Sequence, residues 1–154
     1  MSNCTNPTRR LKGVYILHFQ LPEPRELQIG NLEPRRYKGS YLYVGSARGN
    51  EGYGRVNHHI RVAQGIREGK HWHVDLLLPV TNILQVWLLP TDKERECQLA
   101  QTLAKEFPEA VEGFGCSDCN CNSHLFSCND GNSKSILRAL ENLPVGAKPF
   151  SFDL

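Results

Sequence analysis

Lys12 to Gln20 (KGVYILHFQ) is dense in β-branched and aromatic residues and is closed by Pro22 and Pro24, which predicts a strand. Residues 22–39 hold three prolines and two glycines and read as a long irregular excursion, with a short strand at Leu27 to Ile29. Ser40 to Ser46 (SYLYVGS) is a second strand, running into a glycine-rich loop, Gly45 to Gly54, that can turn several N–H groups toward an anion. From Arg55 to Glu68, Val56, Ile60, Ala63 and Ile66 recur at helical spacing, with Gly69 as the stop. His71 to Leu78 alternates, which predicts a strand with Trp72, Val74, Leu76 and Leu78 on one face and His71, His73 and Asp75 on the other. Asn82 to Leu89 is a further apolar strand. Thr91 to Glu94 forms a capping box for a helix that ends before Pro108. Ser133 to Leu143 offers a last short helix. This order predicts one α+β domain over 1–154, a small, mainly antiparallel β-sheet flanked by helices.

Composition narrows the class. A chain of 154 residues with 40% hydrophobic content can bury one substantial core. No apolar run reaches bilayer length and the polar N-terminus has no signal-peptide core, so a cytoplasmic chain that meets no membrane is expected. Six cysteines in that setting predict metal ligands or plain thiols over a disulfide framework. The net charge of +2 conceals an asymmetry. Residues 35–73 carry eight Lys or Arg against two acids, a local +6, and four of the six histidines. Such a face suits a polyanion, and Arg48, Arg61, Lys70 and His73 are its candidate nucleic-acid contacts; a solvated basic surface has the same composition.

The chemistry concentrates in five residues. Gly13-Val14-Tyr15 and Tyr43-Val44-Gly45 each set a tyrosine near a glycine at a strand end, where backbone can approach closely and a phenol can point at it. Arg55 and His59 lie one helical turn apart and share a side of the helix. An arginine fixed there can grip a phosphate bidentately. Glu96 leads the apolar stripe Ala100, Leu103, Phe107, so its carboxylate points inward and needs a partner. That partner is either a structural cation or Mg²⁺, which suits one carboxylate plus waters and phosphate oxygens. His71, His73 and Asp75 on one strand face read as a polar surface or as metal ligands.

These residues resemble the GIY-YIG nuclease superfamily. The two tripeptides match its name-giving motifs with Val for each Ile, Arg55-x-x-x-His59 matches its first-helix pair, and Glu96 matches its metal-binding glutamate. A small branch, poorly characterised and sometimes attached to endonuclease III, is resembled further by residues 41–47, 70–75 and 117–126. The resemblance implies a divalent-metal-dependent endonuclease acting on DNA or RNA, with DNA first. Glu96 would hold Mg²⁺ or Mn²⁺, Arg55 would steady phosphoryl charge, and Tyr15 would complete the pocket. Tyr43 or His59 would take the proton from water. Attachment to endonuclease III implies a DNA-repair partner. A rival on the same fold is a nucleic-acid-binding module that does no chemistry.

Cys116-x2-Cys119-x4-His124-x3-Cys128 falls one residue short of a zinc-knuckle spacing, with Cys121 as a spare thiolate. The opposing expectation is reduced structural thiols, because the knuckle's internal glycines are missing and His124-Leu125-Phe126 reads as a strand that would splay the ligands. A metal- or redox-responsive accessory protein centred on 116–128 is the third class.

Overall fold

β1 (Gly13–Leu27) and β2 (Arg35–Ala47) form a long antiparallel hairpin at the centre of a five-stranded sheet. β3 (Asn82–Pro90) pairs with the other side of β1, β4 (Leu125–Ser127) with β2, and β5 (Phe150–Phe152) with β3, giving the order β4-β2-β1-β3-β5, antiparallel throughout. The computed structural model describes residues 12–47, 52–69, 72–90, 96–116, 121–128, 138 and 150–152. Among the described residues, α1 (Gly54–Ala63), α2 (His73–Leu77) and α3 (Glu96–Glu106) complete an α+β domain. The expected capping box at 91–94 lies outside the described residues, as does the expected helix 133–143 apart from Arg138, which is helical.

The sheet is covered on both faces, so β1 is buried without interruption from Gly13 to Phe19. Tyr15, Leu17, Phe19, Tyr43 and Leu88 pack with Val56 and Val62 of α1 and Val74 and Leu77 of α2. Val14, Ile16, Val44, Leu89 and Phe126 pack on the opposite face with Leu99, Ala100 and Leu103 of α3. Alternate residues of each strand thus feed two cores.

Three expectations are corrected. Residues 22–39 are not an irregular excursion, because β1 runs on to Leu27 and β2 starts at Arg35. β3 pairs with β1 only as far as Gln20, so beyond it β1 has one partner, and Pro22 and Pro24 sit beside a register shift between Leu21 and Arg25. A proline there forfeits no ladder bond on the open side. The alternating segment 71–78 is not a strand: it holds α2 and a 3-10 turn, Leu78–Val80. Eight residues fit both periods, and burial of Val74, Leu77 and Leu78 with Leu76 exposed shows that the helical one won. Finally, α1 ends at Ala63, with Gln64 as its cap, instead of near Glu68, because Gly65 takes a positive φ of 79° and leaves Ile66 exposed.

In the β1–β2 register Tyr15 stands opposite Gly45, and a Cβ on Gly45 would overlap the Tyr15 ring. Gly45→Ala is therefore expected to cost about 1–3 kcal/mol by overpacking, read as a lower urea midpoint at unchanged slope.

Candidate active site

Tyr15 enters the site from β1, where Gly45 lets its ring lie across the neighbouring strand. Its hydroxyl donates to Nε2 of His59 on α1 at 2.7 Å. Nδ1–H of His59 in turn donates to Oδ1 of Asp75 on α2 at 2.6 Å. The tautomer follows from the partners: a carboxylate can only accept, so Nδ1 carries the proton and Nε2 is the acceptor. Asp75 Oδ2 accepts from Nε2 of His58 at 2.9 Å, and Nδ1 of His58 accepts from Arg67 at 3.3 Å. Five residues from β1, α1, α2 and the segment after α1 form one hydrogen-bond chain, its donors running from Tyr15 and from Arg67 to converge on the Asp75 carboxylate. Tyr15, His59 and Asp75 are each at most 1% exposed. Gly69 is shaped to this arrangement, since a Cβ there would overlap the Asp75 side chain.

Arg55, one turn before His59, is fixed from two sides. Its guanidinium donates to the Ser46 carbonyl at 2.6 Å and lies 4.4 Å from the Trp72 ring centre. Trp72 also meets the rings of His58 and His59 edge-on. Tyr43 packs against Tyr15, His59 and Phe114. Glu96 opens α3, half-buried, with Oε1 3.3 Å from Nδ1 of His124.

Burial governs the protonation states. It raises the Tyr15 phenol well above its ordinary value; Tyr43, Glu96 and Asp75 add to the rise and Arg55 opposes it. Burial likewise raises Tyr43, with Glu96 adding and Arg55 opposing. At both phenols desolvation outweighs the opposing pull of Arg55, so each holds its proton more tightly than a free tyrosine. Burial lowers His59, against the pull of Asp75, so its imidazole is neutral near pH 7. Burial pushes the Asp75 carboxyl up, but the hydrogen bonds from His59 and His58 outweigh it and hold it below its usual value.

Tyr15, Tyr43, Arg55, His59 and Glu96 are thus near neighbours or electrostatically coupled. Arg61 is exposed on α1, and Arg48 and Lys70 lie outside the described residues. His73 is half-buried, its Nδ1 accepting from Gly115 N–H at 2.9 Å and its ring against Phe114. With α2 helical, His73 and Asp75 do not share a face, and His71 lies outside the described residues. Asp75 and Trp72 are the residues that sequence reasoning missed. The signal for Asp75 was present in its two histidine partners, but the strand expected over 71–78 turned it the wrong way.

The sulfur chemistry also differs from expectation. Cys97 and Cys121 are joined as a disulfide, in which Cys116 and Cys128 take no part. The knuckle set is not assembled among the described residues. Cys128 packs in the α3-side core, Cys116 Sγ lies 3.5 Å from the Phe114 carbonyl, and Cys119 is outside the described residues. Among the described residues, Cys97 and Cys121 are the cysteines grouped with His124.

Asp75 supports a pH prediction. A carboxyl depressed in the folded state adds stability that is full above its unfolded value of about 3.9 and is lost as pH falls through the lower folded value. The stability difference between wild type and Asp75→Asn, measured by urea denaturation, is expected to shrink as pH falls below about 4.

No helix among the described residues is long and apolar enough to cross a membrane. Comparison with curated proteins and with solved structures returned no significant match. A family model does match, over residues 14–144, which includes every residue of the site. The chain belongs to the family described as the domain of unknown function DUF123.

Proposed function

We propose that this chain is a divalent-metal-dependent endonuclease that hydrolyses phosphodiester bonds, with DNA as the first substrate class and RNA the second. The observation that carries it is the buried chain Tyr15–His59–Asp75, with Arg55 and Glu96 electrostatically coupled to its phenol. The resemblance to GIY-YIG nucleases, and to the branch attached to a DNA-repair enzyme, supports the same assignment. So does the +6 charge of residues 35–73.

In this mechanism His59 is the base and Tyr15 the relay. As water attacks phosphorus and the P–O bond to the leaving sugar oxygen breaks, the water proton passes to the Tyr15 oxygen while the Tyr15 proton passes to Nε2 of His59, and the leaving oxygen takes a proton from solvent. Asp75 holds the imidazole in the accepting tautomer and stabilises the imidazolium that forms. Arg55, already oriented by Ser46 and Trp72, neutralises charge on the phosphoryl oxygens. Tyr43, protonated, bounds the pocket and can donate to the substrate. Glu96 offers hard oxygen donors in a half-buried position, which fits Mg²⁺ or Mn²⁺, and such an ion would supply Lewis-acid stabilisation of developing negative charge.

The test is incubation with supercoiled plasmid, branched DNA and structured RNA in Mg²⁺, Mn²⁺ or EDTA. Wild type is expected to cut at least one substrate with metal and none with EDTA. Arg55→Ala and Glu96→Gln are each expected to lose about 10²–10³-fold in rate. Equal cleavage by wild type and Glu96→Gln overturns the mechanism. Binding without cleavage under every condition assigns the fold to a non-catalytic binding module.

A further inference from the structure

Cys97, Cys121 and His124 bring one ligand atom each to within 4.8 Å of one another, and we propose that in their thiol form they bind zinc. The three come from two separate stretches of chain. Cys97 is the second residue of α3, while Cys121 and His124 lie three residues apart in the segment leading into β4. Two sulfurs and one imidazole nitrogen are the donors zinc prefers, and three protein ligands leave a fourth, tetrahedral position for water.

The imidazole is what separates this site from a disulfide alone. A Cys97–Cys121 bridge, with Cα atoms 6.1 Å apart, uses two of the three groups and has no need of His124. Yet His124 is 1% exposed and is held from several sides. Its ring is hydrogen-bonded to the Val44 backbone, Nδ1 lies 3.3 Å from Glu96, and its Cβ is flanked by Gly115, whose φ is +74°. Rings fixed by carboxylate and carbonyl partners are the usual form of a histidine that ligates metal.

The disulfide and the zinc site are two states of one pair. A dithiol cleaves the S–S bond by giving up two electrons and two protons and becoming a disulfide; a phosphine gives two electrons and becomes the phosphine oxide, with water supplying its oxygen and the two protons; either way two thiols result. Zinc then displaces both thiol protons, and the two sulfurs move apart by side-chain rotation to take separate tetrahedral positions. Bound there, the ion ties the first turn of α3 to the segment before β4, next to Glu96. Binding itself does not depend on nuclease activity.

The full chain, purified without oxygen in a phosphine reductant and dialysed, is expected to carry about one zinc per chain by atomic emission. Cys97→Ser and His124→Ala are expected to lose most of it, while Cys116→Ser and Cys128→Ser keep it. Because ligand variants can misfold, wild type reloaded with Co²⁺ gives a second reading: a thiolate-to-cobalt charge-transfer band with tetrahedral d–d absorption. Zinc-free wild type without that band overturns the proposal. So does full zinc retention by Cys97→Ser, or zinc lost from Cys116→Ser or Cys128→Ser while the Cys97 variant keeps it. Cleavage plays no part in these readings, so failure here leaves the endonuclease assignment to its own test.

Discussion

The register of β1 against β2 is the constraint from which the rest of the site follows. Tyr15 faces Gly45 across the ladder, and the missing Cβ lets the ring lie over the partner strand and reach His59. A one-residue slip would turn Tyr15, Leu17 and Phe19 to the α3 face and Val14 and Ile16 to the α1 face. Both cores would then be mispacked, so the apolar burial that stabilises the sheet also fixes the phenol. The Tyr15 hydroxyl needs no separate device to position it.

The same economy holds around His59. A buried imidazole is costly unless both nitrogens are satisfied. Here one meets a phenol and the other a carboxylate, and the carboxylate is itself satisfied by a second histidine. Burial keeps His59 neutral and Tyr15 protonated, and Asp75 fixes which nitrogen can accept. Arg55 is held apart from this chain by Ser46 and Trp72, leaving its charge available to an anion beside an acceptor poised to take a proton. Glu96 arrives from the helix on the other face of the sheet, which is why its influence on Tyr15 and Tyr43 is electrostatic.

Much of this was legible because the signals were long or redundant. The runs around Tyr15 and Tyr43 are unmistakably extended, and Glu96 at the head of an apolar stripe marks an inward carboxylate. Its described neighbour, His124, was grouped only with the cysteines of residues 116–128, because pairing across separate segments leaves no trace in spacing. Asp75 was missed because five residues of helix look like a strand when every second residue is apolar. The long hairpin was missed because Pro22 and Pro24 normally stop a strand; that β1 has one partner beyond Gln20 is a fact of topology. Cys97 was missed for a similar reason: it sits in α3, well before the cysteine-rich stretch it joins.

Tyr15→Phe removes one oxygen and leaves ring, packing and register in place, so it isolates the relay at the centre of the mechanism. The most direct measurement is its cleavage rate beside wild type at saturating Mg²⁺, with circular dichroism to match the folds. The expected result is a loss of about 10²-fold or more with the fold unchanged. A rate equal to wild type would contradict the proton path through Tyr15 and His59.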